Sequence, residues 1–88
     1  MRLDLFLCRT SIVKRRAEAA RLLRAGHVAV DGKPAKPAAE ARVGQHLRVE
    51  EVRRVREYEV IAIPAGNVAR KDAGEYARLV SERAREAT

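Results

Sequence analysis

The segment RRAEAARLLRAGHVAVDGK, residues 15–33, changes from helical to alternating apolar spacing within nineteen residues. Ala19, Leu22 and Leu23 recur at the spacing that places side chains on one face of a helix. Gly26 is the residue type that most often ends a helix, because it adopts the left-handed conformation without strain. The alternation in HVAV, followed by an Asp-Gly pair, is typical of a β-hairpin closed by a type I′ turn. The segment therefore predicts a helix that leads directly into a hairpin.

The positive charge of the chain is concentrated before residue 37. The 88 residues carry 19 Lys and Arg against 12 Asp and Glu, a formal net charge of +7. Residues 1–36 hold nine basic and three acidic side chains, residues 37–63 hold five of each, and residues 64–88 hold five and four. A concentrated positive surface favours a polyanion as partner. The excess of Arg over Lys, 15 to 4, favours phosphate, which the planar guanidinium binds through two parallel hydrogen bonds.

The composition argues against several other classes of function. Cys8 is the only cysteine, which excludes an internal disulfide and a cysteine-based zinc site. The apolar runs are too short for a membrane span, and Asp4 and Arg9 interrupt the stretch that a signal peptide needs, so a cytoplasmic location is expected. The His and Ser residues show no triad order, no glycine-rich phosphate loop occurs and the carboxylates are scattered. We therefore expect no enzyme activity, no cofactor and no metal.

The remaining sequence predicts further short elements around this segment. Residues 1–9, MRLDLFLCR, have the spacing of a short amphipathic helix. Thr10 and Ser11 are residue types that start helices, so the second helix is expected from about residue 12 to residue 25. QHLRVE at residues 45–50, with Leu47 and Val49 inward, and VREYEVIAI at residues 55–63 predict two more strands after the hairpin.

The last part of the chain is predicted to be a helix that covers the sheet. Residues 60–63 are apolar on both faces of their strand, which indicates that a further element packs there. Helical spacing returns over residues 68–84 in four side chains, namely Ala73, Tyr76, Ala77 and Val80. The predicted fold class is α+β, in the order α-α-β-β-β-β-α with a small, mainly antiparallel sheet. We assign residues 1–63 to the main domain and residues 64–88 to a helical segment packed on its sheet.

Four segments together resemble the S-four type (S4, or αL) RNA-binding domain, a family named after a small-subunit ribosomal protein. They are RLDLFL near the start, KRRAEAARLLRAG in the basic helix, VAVDGK in the hairpin and VGQHLRV in the next strand. The match covers about residues 1–50 and is more specific than any single short motif. In length and in the segment ARKDAGEYARLVSE, the chain is most similar to free-standing members that act in ribosome-associated quality control. These members are related to a ribosome-associated heat-shock protein.

This resemblance implies the αL RNA-binding motif and a ribosome-associated protein without catalytic activity. The implied partners are large-subunit ribosomal RNA, peptidyl-tRNA on obstructed subunits and the C-terminal tailing factor of the quality-control pathway. Binding would hold the tRNA in place while untemplated tailing marks the nascent chain. The chain is expected to be a monomer off the ribosome. Its only aromatic residues are Phe6, Tyr58 and Tyr76, which disfavours single-strand binding by base stacking and favours folded RNA read through its phosphates.

The candidate RNA contacts all lie in the first 36 residues. They are Arg2, Asp4, Arg9, Lys14, Arg15, Arg16, Arg21, Arg24, Lys33 and Lys36. Lys14 and Arg16 rank highest because they match the basic position between the helices of the family, and Arg2 matches its R-L-D opening. For Asp4 we favour a salt bridge that orients Arg2 or Arg16 over a direct contact with a ribose hydroxyl or a base. An ordinary solvated helix face is the alternative for the arginines.

A second group of arginines is interpreted differently. Arg53, Arg54 and Arg56 alternate with glutamates, a pattern typical of a solvated sheet edge that resists aggregation.

Two other functions remain open from the sequence. A heat-shock-type factor that recycles large subunits blocked by peptidyl-tRNA would use the same domain. A basic DNA-binding protein is the alternative of another class, because two helices joined by a turn resemble a helix-turn-helix. The hairpin and the basic helix that ends at Gly26 argue against DNA binding.

Overall fold

The computed structural model describes residues 1–85, in which two short helices pack on one face of a five-stranded antiparallel sheet. The helices are α1 (Leu3–Arg9) and α2 (Arg16–Arg24), and the strands are β1 (Val28–Val30), β2 (Lys33–Pro34), β3 (His46–Glu50), β4 (Arg54–Val60) and β5 (Ala77–Ala84). The strand order is β2-β1-β3-β4-β5. The predicted α+β class, with two N-terminal helices and an antiparallel sheet, is confirmed. No helix in this part of the chain is long and apolar enough to cross a membrane.

The end of α2 has the predicted glycine cap. Gly26 has a φ of +81°, and its N–H donates to the carbonyl of Leu23 at 3.1 Å. The N–H of His27 donates to the carbonyl of Leu22 at 2.9 Å. This pair of bonds is the Schellman motif, which satisfies carbonyls that the helix end leaves without partners. The chain thereby turns directly from α2 into β1.

The hairpin has the predicted type I′ turn. The φ angle is positive at both central residues, +50° at Asp31 and +85° at Gly32. β1 pairs with the two-residue edge strand β2 through Val30 and Lys33, and with β3 on its other side. The Asp31 carboxylate also accepts the backbone N–H of His46 at 2.9 Å, which fastens the turn to the start of β3.

The hydrophobic core lies between the helices and the inner face of the sheet. Its largest fully buried side chains are Leu3, Phe6, Leu7, Val28, Leu47, Val49 and Val60. Leu47 and Val49 point inward as predicted, because alternate residues of a strand face the same side. Burying a side chain of this size stabilises a fold by about 1.5–3 kcal/mol. The core therefore fixes α1 and α2, which carry four of the basic candidate contacts, on the sheet.

The second helix begins at Arg16 and not at about residue 12. The Thr10 hydroxyl donates to a carbonyl of α1 at 2.8 Å, so this residue closes the first helix and does not start the second. Ile12 and Val13 are buried in the core. Residues 10–15, which we call the linker, are held by this burial in a non-helical conformation.

The predicted helix over residues 68–84 is wrong. Ala77–Ala84 is strand β5, which pairs with β4 along its length, and only Arg70–Glu75 is helical, as a 3₁₀ helix. β5 satisfies the backbone groups at the edge of β4, which a helix packed on the sheet face would not. A register shift beside Glu57 breaks the alternation of ARLVSERA, so the sequence lacks the period of a regular strand.

Within residues 1–85, the second face of the sheet also lacks the apolar cover that was predicted. β4 ends at Val60, and residues 61–63 leave the sheet, so their apolar side chains do not form a second buried face. The division between residues 1–63 and 64–88 stays a prediction, and residues 86–88 lie outside the described residues.

Candidate nucleic-acid interface

A buried carboxylate between the helices holds two exposed arginines. Asp4 is 3% exposed. It accepts from Arg2 through Nε at 3.3 Å and Nη2 at 3.2 Å, and the Nε atom of Arg16 lies 3.6 Å from its Oδ2 atom. The backbone N–H of Leu5 donates to Oδ1 at 2.7 Å. The salt bridge expected with Arg2 or Arg16 is therefore present with both, and we call these three side chains the Asp4 cluster.

The cluster keeps Asp4 ionised. Burial alone would raise the pKa of this carboxyl, but the hydrogen bonds from Arg2 and Leu5 and the charges of Arg16 and Arg2 lower its pKa below the ordinary 3.8. With its oxygens occupied inside the protein, Asp4 faces the two guanidinium groups and not the solvent. The outward edges of Arg2 and Arg16 remain accessible to a phosphate group.

The segment after the hairpin joins this surface through the backbone of α1. Leu3 donates its N–H to the carbonyl of Ala39 at 2.8 Å, and Asp4 donates to that of Pro37 at 3.2 Å. These are N–H groups that the start of a helix leaves without internal partners. The contact brings the backbone of Pro37, the residue after Lys36, to the start of α1.

The basic residues of α2 do not all lie on the same face of the helix. Successive helical residues are about 100° apart, so Arg16 flanks the buried stripe, whereas Arg21 and Arg24 lie roughly opposite it. Arg21 is paired with Glu18, its Nε donating at 3.0 Å. Both line a groove of about 410 Å³ between α2 and the β3–β4 turn, which also contains His27. The structure therefore does not bring Arg21 together with the Asp4 cluster.

Lys14 lies in a second groove that adjoins the first, where the linker meets the sheet. It lines a groove of about 520 Å³ together with Arg54, Arg56 and Arg70. Sequence reasoning did not associate these residues with Lys14, because they are 40 or more positions away and no local pattern connects them.

Most of the predicted contacts are free of carboxylate partners. Six of them form no ion pair with any of residues 1–85, namely Arg9, Lys14, Arg15, Arg24, Lys33 and Lys36. Four sheet arginines are each paired with a glutamate instead, namely Arg48, Arg54, Arg56 and Arg78. The N-terminal half thus presents cations that no carboxylate within residues 1–85 pairs with, and a polyanion could pair with them.

Arg56 corrects the interpretation of residues 53–56 as a solvated edge. It is 9% exposed, and its Nη2 atom donates to the carbonyl of Ile12 at 2.7 Å. Arg53 and Arg54 are exposed, as the alternating pattern predicted.

Comparison with known proteins gives three kinds of match. The S4 domain family model matches residues 1–47, which span both helices, the hairpin and the start of β3. Two curated proteins from two strains of Helicobacter pylori are each 37% identical over 73 residues, covering 82% of this chain and 87% of the relative. Both are named RQC P-site tRNA stabilizing factor.

Two solved structures share the fold. Heat Shock Protein 15 of Vibrio cholerae, solved as a trimer, has a TM-score of 0.84 at 21% identity, covering 92% of this chain and 82% of that one. The solution structure of a hypothetical protein has a TM-score of 0.78 at 34% identity, covering 92% and 98%. The resemblance of the N-terminal half to the S4 domain, and of the whole chain to ribosome-associated quality-control factors, is confirmed.

Proposed function

Since this chain belongs to the S4 domain family, we propose that it binds RNA of the large ribosomal subunit and stabilises tRNA in the P site during ribosome-associated quality control. The observation that carries the proposal is the Asp4 cluster, in which one buried carboxylate orients two exposed arginines, one just before α1 and one at the start of α2. The name of the Helicobacter pylori relatives supports the choice of tRNA as ligand.

The cluster lowers the entropic cost of binding phosphate. A free arginine side chain loses about 2 kcal/mol of rotamer entropy when it is fixed. Asp4 already restrains Arg2 and Arg16, so these side chains lose less rotamer entropy when they bind phosphate. Each hydrogen bond to a charged phosphate then contributes about 1.5–3 kcal/mol. The six candidate contacts that form no ion pair within residues 1–85 add contacts whose strength depends on salt.

The proposed role needs binding energy alone. A protein that binds one position of the tRNA better than the others shifts the population toward that position. The proposed partners are large-subunit ribosomal RNA, peptidyl-tRNA on an obstructed subunit and the C-terminal tailing factor. The proposed location is the cytoplasm, and the proposed residues are the ten candidate contacts, with Asp4 acting through Arg2 and Arg16.

Sedimentation with purified large subunits tests the proposal. The chain should co-sediment with subunits that carry peptidyl-tRNA, with an affinity that falls steeply between about 50 and 200 mM salt. Duplex DNA should compete poorly at matched salt, whereas equal competition by DNA would contradict RNA recognition. The peptidyl-tRNA that remains on the subunits is measured in the same fractions. Peptidyl-tRNA that stays on the subunits supports a stabilising role, and its release would indicate recycling.

A further inference from the structure

We infer that Arg56 is a positioning residue of the RNA-binding surface: it fixes the linker so that Lys14 and Arg15 meet RNA phosphate. Arg56 lies on β4, 44 positions after Ile12, whose carbonyl accepts its Nη2–H at 2.7 Å. This inference rests on the proposed function, since the linker side chains act on RNA only if the protein binds RNA.

The guanidinium of Arg56 is held on several sides. Its Nε and Nη2 atoms donate to Oε1 of Glu51 at 3.1 and 2.6 Å, and its Cζ atom lies 5.6 Å from the centre of the Tyr58 ring. Because Glu51 neutralises a guanidinium that is already buried, Arg56 is a poor phosphate ligand itself. Its fixed geometry makes it a rigid donor toward the linker.

Besides the burial of Ile12 and Val13, the linker is held by hydrogen bonds to α1. Ser11 has a φ of +62°, and the N–H of Val13 donates back to Leu7 at 3.0 Å. Within residues 1–85, the bond from Arg56 to Ile12 is the only hydrogen bond that joins the linker to the sheet. Together with the burial of Ile12 and Val13, it fixes the position of the linker on the sheet before α2 begins.

The residues that follow this anchor are the ones available to RNA. Lys14 and Arg15 are exposed, form no ion pair in the described part of the chain, and follow Ile12 by two and three positions. Arg15 is also the residue before α2, with extended backbone at φ −129° and ψ 145°. A shift of the Ile12 carbonyl would change the direction in which both cations leave the linker.

A matched pair of variants separates positioning from general charge. Arg56→Met removes the anchor. Arg54→Met removes the same charge from the same strand and the same partner, since Arg54 lies 3.4 Å from Glu51 but, within residues 1–85, donates no hydrogen bond to the linker. Affinity for purified large subunits is measured where circular dichroism shows each variant folded. Arg56→Met should weaken binding about tenfold and reduce the salt slope by about 1–2, corresponding to one or two lost phosphate contacts. Arg54→Met should change the affinity less than about twofold.

A double-mutant cycle gives the decisive readout. If Arg56 acts through the linker cations, Arg56→Met should add no loss to a chain that already carries Lys14→Ala and Arg15→Ala. The inference would be overturned if the losses of affinity from Arg56→Met and from the linker substitutions multiplied. It would also be overturned if Arg54→Met weakened binding as much as Arg56→Met. If Arg56→Met does not fold, Arg56→Lys is used in the same cycle, with a smaller loss expected and the same non-additivity required. A wild-type chain that fails to bind large subunits would instead contradict the proposed function.

Discussion

The side chains of Arg16 and Asp4 lie 3.6 Å apart although the first belongs to the first turn of α2 and the second to the first turn of α1. A helix start is an unfavourable place for Arg16, because the helix dipole disfavours positive charge there. The residue before it, Arg15, offers no side-chain cap. Two basic side chains at an uncapped helix start reduce local stability, and natural proteins accept such costs at functional sites.

We predict that replacing Asp4 with Asn weakens RNA binding even though it raises the net charge by one. A neutral amide cannot pair with Arg2 and Arg16 as the carboxylate does, so both guanidinium groups lose their orientation. A loss of about 1 kcal/mol in binding corresponds to about a fivefold weaker affinity. The affinity for large subunits is measured by sedimentation at several salt concentrations. Tighter binding by the Asn variant would show that net charge outweighs orientation.

Asp4 also predicts a pH dependence of stability. Its pKa in the folded protein is below the ordinary 3.8, so the unfolded chain takes up a proton more readily than the folded one. The stabilisation by ionised Asp4 is therefore complete above the unfolded pKa, and is lost as the pH falls from about 4 through the lowered folded value. Urea unfolding of the wild type and of Asp4→Asn between pH 3 and 7 measures this difference. Curves that stay parallel down to pH 3 would contradict it.

The cap of α2 predicts that an alanine substitution destabilises the fold at one glycine and not at another. An added Cβ meets no atom within 4 Å at Gly26 or Gly66, but only Gly26 has a positive φ, +81°. Gly26→Ala should therefore destabilise the fold by about 1 kcal/mol through backbone strain alone. Gly66→Ala should be neutral or slightly stabilising. Melting temperatures measure both changes, and equal shifts would mean that the Schellman motif is not maintained in solution.

The helix end at Gly26 and the turn at Asp31 could be predicted from the sequence, because each depends only on residues that are neighbours along the chain. The position of Arg56 could not, because its partner Ile12 is 44 positions away and the neighbouring glutamates suggested a solvated edge. The strand β5 was missed for a different reason. A bulge interrupts its alternation, and four apolar residues then matched a helical period by coincidence.

The corrected C-terminal strand changes which side chains matter for stability. Val60 of β4 is 1% exposed and Val80 of β5 is 51% exposed, although the helix prediction placed Val80 in the core. We predict that Val60→Ala costs about 2 kcal/mol through the lost burial and the cavity. Val80→Ala should change the free energy of unfolding by less than about 0.5 kcal/mol. A large effect at Val80, measured by urea denaturation, would indicate that another surface covers β5 in solution.

The last prediction concerns charge reversal at two exposed arginines. Arg16→Glu should abolish association with large subunits, whereas Arg53→Glu should leave it nearly unchanged. Arg53 is the better control than Arg54, because Arg54 is paired with Glu51 and Arg53 forms no ion pair within residues 1–85. Sedimentation of each purified variant with large subunits measures the effect, and circular dichroism establishes that each is folded.

The two reversals change the net charge by the same two units, so a purely diffuse attraction would weaken binding equally at both sites. A defined contact between Arg16 and phosphate instead predicts a large loss of affinity at Arg16 and little change at Arg53. At Arg16 the change removes a guanidinium oriented by Asp4 and places a second carboxylate beside a buried one, with an expected loss of a few kcal/mol at a partly desolvated phosphate contact. Arg16→Gln removes the positive charge without adding a negative one and should give an intermediate loss. Equal losses for Arg16→Glu and Arg53→Glu would mean that total charge, and not the geometry of the Asp4 cluster, governs binding.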